Sequence, residues 1–209
     1  MESLSIILQL HTPEELILYS NIAHWVFGAI FLIVSGIALM QALGYWKSRP
    51  YLWPMLVLIA GLFLPVFSFF HHWNELGLVW QAMIGDPQQR QHLIMAILLG
   101  IAGIFELKSK RKLVFPAVLV IIGIMFIVHP QHGAGEAVMR ASIIHQYLGV
   151  ILILTGISRS AEMLWPKRKW LAYPWIFFLA IAAILLISYR EPANAYQLDS
   201  LQTLFYDTL

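Results

Sequence analysis

The 209-residue chain is 60% hydrophobic and 11% charged, under half the ~25% charge usual for soluble domains, and its mean hydropathy is +0.75, so it folds in lipid. A formal net charge of +2 gives no case for nucleic-acid binding, and the absence of cysteine removes disulfides, thiolate metal sites and thiol catalysis. Against so few other polar groups, eight histidines stand out.

Apolar segments lie near residues 16–45, 51–72, 91–107, 113–129, 138–158 and 170–189. Each approaches the ~20 residues that cross the hydrocarbon core, and none alternates as the strands of a membrane barrel do. The pattern predicts an all-α integral membrane bundle of six transmembrane helices forming one domain over residues 1–209. Leu4 to Leu10 is too short to span and has no basic flank. It predicts a surface segment over residues 1–12 in place of a cleavable signal peptide. Thr12-Pro13-Glu14-Glu15 then supplies an N-cap, a first-turn proline and a capping-box glutamate for the first span.

The second, fourth and sixth spans open alike, with Trp53-Pro54, Phe115-Pro116 and Tyr173-Pro174 just after a basic loop. Proline is tolerated where its missing N–H has no partner, and an aromatic ring suits the headgroup level. Lys47, Arg49, Lys108, Lys110, Arg111, Lys112, Arg159, Lys167, Arg168 and Lys169 share one face, and Arg90, Arg140 and Arg190 the other. Ten of thirteen basic residues thus mark the cytoplasmic side. Both termini are then extracytoplasmic, with residues 191–209 as a tail on that side. The expected setting is a bacterial inner or plasma membrane. Glu106, beside Lys108 and Lys110, falls near the inner boundary.

Aligned on histidine, the odd spans share a spacing. His24 is followed by Gly28 and Ser35, His92 by Ala96 and Gly103, and His145 by Gly149 and Gly156, always at +4 and +11. These offsets stay within about 40° on a helix of ~3.6 residues per turn. In the second span the stripe is reversed, with Gly61 and Ser68 before His72. We therefore expect three tandem helical hairpins. Small residues at this spacing also serve close helix approach, which leaves the histidine at the head of each stripe unexplained.

All eight histidines fall toward the extracytoplasmic face. His11 lies outside the bundle, and His71 yields to His72, which carries the stripe. Ionisable groups at membrane depth are costly and usually functional, and imidazole is the commonest metal ligand. His24, His72, His92, His129, His132 and His145 are the candidate ligands, for copper, zinc or iron. Glu75 and Glu136 follow histidines by three or four residues and are candidate orienting carboxylates or ligands. Met83, Met95 and Met139 lie on the same side.

Ala23-His24-Trp25 leading into Gly28-Ala29-Ile30-Phe31-Leu32, Gln91-His92-Leu93-Ile94-Met95, and His129-Pro130-Gln131-His132 with Ile144-His145-Gln146 carry a resemblance. These stretches resemble the transmembrane protein 45 family, which implies a six- or seven-helix fold and points to His24, His92, His129, His132 and His145. The architecture is also similar to cytochrome b561-like proteins, which hold haem between histidines on facing helices. That likeness implies at most one haem b, with Gly28 and Gly149 making room for the macrocycle.

The leading expectation is an integral membrane metal-binding protein that acquires, holds or delivers copper, zinc or iron near the extracytoplasmic face. A single-haem cytochrome in electron transfer and a membrane metalloenzyme are the alternatives, and no catalytic residue or substrate is identified. The expected partners are the lipid bilayer and an extracytoplasmic metal donor or electron-transfer protein.

Overall fold

A computed structural model describes residues 12–46, 48–71, 73–108, 113–129, 135–193 and 195. Among these residues the chain is helical, without strands. In order the helices are α1 (Pro13–Ala42), α2 (Leu52–His71), α3 (Leu76–Gly85), α4 (Pro87–Lys108), α5 (Val114–Ile127), α6 (Gly135–Leu164) and α7 (Ala172–Ser188). Four stretches are long and apolar enough to cross a membrane: Pro13–Ala42, Pro87–Lys108, Val138–Leu164 and Lys169–Ser188. Large apolar side chains such as Ile33, Ile101, Ile124, Ile157, Phe177 and Ile184 face outward. A surface that apolar belongs in lipid. All of the expected surface segment but Thr12, and most of the expected C-terminal tail, lie outside the described residues.

Local chemistry sets the helix boundaries. The Thr12 side chain accepts from the Glu15 N–H, and Glu15 Oε2 accepts from the Thr12 N–H at 2.9 Å, closing the capping box before Pro13. Trp53-Pro54, Phe115-Pro116 and Tyr173-Pro174 all occupy first turns. Two of these aromatics turn inward, however. Trp53 and Phe115 are buried with ring centres 5.2 Å apart, and Trp53 also meets Trp175 at 5.7 Å.

Two elements differ from the sequence expectation. α3 is an extra ten-residue helix in a stretch expected to be a connection. It leans on α4 and is too short to span. Its end is set by Asp86, whose Oδ1 accepts from the Gln89 N–H at 2.8 Å and so caps α4, with Pro87 at the first position. α5 has only 14 residues, about 21 Å of helix. His129 precedes Pro130, which steers it out of the helical region.

The helices close a ring: α1 touches α2, α2 touches α4, and α4, α5, α6 and α7 follow until α7 returns to α1. The most extensive packing is between α5 and α6, α2 and α4, and α1 and α7. It therefore crosses between the expected hairpins more than it lies within them. The small-residue stripes explain this. A Cβ on Gly28 would meet Ala183 O of α7 at 2.8 Å, one on Gly103 would meet Leu58 N of α2 at 2.6 Å, and one on Gly149 would meet Gly123 O of α5 at 2.5 Å. Each odd-span stripe faces the preceding even span, where backbones approach closely. Gly149→Val is expected to lower bundle stability by about 3 kcal/mol through overpacking. Thermal unfolding in micelles checks this against Gly36→Val, where no atom lies within 4 Å of a new Cβ.

At the end of the bundle where α4 and α6 finish, Glu106 is 2% exposed and accepts from Arg159 at 2.8 Å. Arg159 also pairs with Glu162 and lies over the rings of Trp53 and Trp175, 5.4 and 4.9 Å from their centres. The residue expected at the margin of the core is thus half of a buried ion pair.

Candidate metal and ligand site

The other end of the bundle holds the histidines. His24 projects from α1, His92 from the second turn of α4, His145 from α6, and His129 from the turn after α5. Their rings form a row. His24 and His145 have ring centres 5.8 Å apart, His145 and His129 4.9 Å, and His129 and His92 4.6 Å. His129 and His145 are buried, at 7% and 2% exposure. Phe126 lies against both, with ring centres 6.0 and 5.6 Å away.

Hydrogen bonds fix the tautomer of three of these rings. His24 Nδ1 donates to Ser20 O at 2.6 Å, and His145 Nδ1 donates to Ala141 O at 2.7 Å, each reaching back one helical turn. His129 Nδ1 donates to Gln91 Oε1 at 2.5 Å, while the Gln91 amide donates to Met125 O at 2.8 Å and so fixes which end faces the ring. In all three the Nδ1 proton is held, and the lone pair is on Nε2. Metal-ligating histidines are oriented this way, through a bond from the other nitrogen.

A polar network flanks the row at its His24 end. The Tyr189 ring lies 4.2 Å from His24 and 5.6 Å from His145, centre to centre. Glu191, 9% exposed, accepts from Ser20 Oγ at 2.6 Å and from the Tyr189 hydroxyl at 3.0 Å. Its own N–H donates to Asn21 Oδ1 at 2.7 Å. Arg190 lies over Trp25, 4.4 Å from the ring centre, and Trp25 Nε1 donates to Tyr189 O at 3.1 Å. The segment after α7 is thereby strapped to α1.

Beside the row is a cavity of about 200 Å³ to which all seven helices contribute. His24 and His92, the two ends of the row, line it, and so do Met83 and Met95.

The structure brings together four of the six histidines singled out in the sequence. His72 and His132 lie outside the described residues, as does His11. Glu75 is exposed where α3 begins, and Met139 is exposed on α6. Gly28 and Gly149 contact the backbones of neighbouring helices and do not line the cavity. Among the described residues, no three histidine, aspartate or glutamate side chains surround one point as a complete metal site does. Sequence reasoning missed Gln91, Tyr189 and Glu191. Only Gln91 carried a signal, as a polar neighbour of His92 inside an apolar span.

Comparison with protein-family models, curated proteins and solved structures gives no match. The functional reading rests on the residues themselves.

Proposed function

We propose that this chain is a multi-pass membrane protein that binds copper, zinc or iron at the imidazole row, with His129 and its neighbours His92 and His145 as ligands. One observation carries the reading. His129 lies between two imidazoles at 4.6 and 4.9 Å, with its Nδ1 held by Gln91. Two imidazoles on one tetrahedral ion, with metal–nitrogen bonds of ~2.0–2.1 Å, have ring centres about 5 Å apart. The 5.8 Å step from His145 to His24 is longer, which makes His24 the outlying member. His72 and His132 are further candidates from the sequence.

In this reading α1, α2, α4, α5, α6 and α7 cross the membrane with the basic loops in the cytoplasm. The row then lies toward the extracytoplasmic face of a bacterial inner or plasma membrane, where a metal donor or electron-transfer partner meets it. Three protein ligands would leave a fourth coordination position open, the arrangement of a site that exchanges its metal or acts on a bound molecule. The nitrogen-only donor set suits zinc, copper or iron.

A b-type haem is the alternative. The cavity volume favours the ion, since on a comparable measure ~150 Å³ holds one benzene ring and a porphyrin is several times larger. The test is elemental analysis with an optical spectrum on protein purified without a polyhistidine tag. Stoichiometric metal without a Soret band supports the proposal. A Soret band that shifts on reduction replaces it with haem, and neither signal removes both readings.

A further inference from the structure

The cavity beside the histidine row has a chemistry of its own. Among the described residues no lysine, arginine, aspartate or glutamate lines it, so they offer nothing that neutralises a phosphate or carboxylate headgroup. Its occupant is neutral. Most of the wall is apolar, with the aromatic rings of Phe27 and Phe126 among it, and the surrounding helix faces are apolar enough for lipid. The occupant therefore comes from the membrane. By the measure on which ~150 Å³ holds benzene, about 200 Å³ holds one substituted six-membered ring.

His24 sets the polarity of the headgroup. Its Nδ1 proton is committed to Ser20 O at 2.6 Å, so Nε2 of this cavity-lining residue carries a lone pair and no proton. Among the described residues, no hydrogen bond engages that nitrogen. Ser20 lines the same wall, with its hydroxyl proton donated to Glu191 at 2.6 Å and its oxygen 3.5 Å from His24 Nδ1. At Nε2 of His24 the ligand must donate, so a ring hydroxyl fits there and a quinone carbonyl does not.

We infer that this cavity binds a membrane-soluble hydroquinone, its ring hydroxyl donating to Nε2 of His24 and its apolar tail extending into lipid. The site does not require a metal. The ring would lie beside His92, next to the ligands of the proposed ion, so metal and organic ligand meet without sharing His24.

Binding is measured by calorimetry on the full chain in micelles after metal removal by a chelator, so that failure of the metal reading leaves this test intact. The probes are decylhydroquinone, its dimethyl ether and decanoate. We expect saturable binding of decylhydroquinone, about five- to tenfold tighter than the ether, the worth of one hydrogen bond. His24→Leu should abolish the difference between the two. Met83→Trp, at a wall position on α3 away from the ring of spanning helices, should abolish binding by filling the cavity while leaving the helical spectrum unchanged. Equal affinity for hydroquinone and ether, tighter binding of decanoate, binding that survives Met83→Trp, or no saturable binding would each overturn the inference.

Discussion

On the proposed function, the parent chain is expected to purify with copper, zinc or iron, and protein in which His92 and His145 are both replaced by alanine is expected to purify without it. The two residues flank His129 at 4.6 and 4.9 Å, so their removal leaves it no imidazole partner from the described residues at ligand spacing. A single imidazole is a weak ligand for any of these ions, and loss should be complete within the precision of elemental analysis. Stoichiometric metal in the double variant would remove the assignment. A companion change separates ligation from folding. Gln91→Leu takes away the acceptor that holds His129 Nδ1 but leaves every candidate ligand in place. Loss of such an orienting bond typically weakens metal affinity by about 10–100-fold. An unchanged metal dissociation constant would mean that Gln91 serves the helices alone.

Arg159→Ala is expected to be the most destabilising single substitution at the opposite end of the bundle. Glu106, 2% exposed, accepts from Arg159 at 2.8 Å. Removing one partner of a buried pair leaves an uncompensated charge, which costs about 3–5 kcal/mol. The loss includes two cation–π contacts, with Trp53 and Trp175. Glu106→Gln should cost less, because Arg159 keeps Glu162. The combination of Arg159→Met with Glu106→Gln should recover most of the stability, since replacing both members of a buried pair is often close to neutral. Unfolding of purified protein in micelles measures all three. If Arg159→Ala unfolds like the parent, water reaches Glu106 and the pair is not structural.

Local chemistry made the helices and the histidine row readable from the chain. Thr12 with Glu15, and the aromatic-proline pairs at 53–54, 115–116 and 173–174, act within one turn, so a linear reading sees them. The row was visible because His24, His92, His129 and His145 occupy corresponding depths, and depth along a helix is additive in sequence. What depends on rotation about the helix axis was not visible. Trp53 and Phe115 fit a headgroup belt by position, yet their rings point into the core. α3 escaped notice because a ten-residue, mostly apolar stretch with no dominant period looks the same in a connection as in a helix. The Glu106–Arg159 pair joins residues 53 positions apart, and Ser20 and Glu191 are separated by 171. Such meetings follow from closure of the ring and have no local signature.

The strap after α7 has a bearing on how the protein is made. Tyr189 and Glu191 leave the ribosome long after His24 has entered the bilayer, and α1 has no seat against α7 until Gly28 meets Ala183. During synthesis, then, the α1 imidazole waits beside lipid while its eventual neighbours are still being translated. The His24 end of the row is in consequence the last part of the bundle to be completed, and a nascent chain halted before residue 189 lacks the Tyr189 ring and the Glu191 carboxylate that flank it in the finished protein.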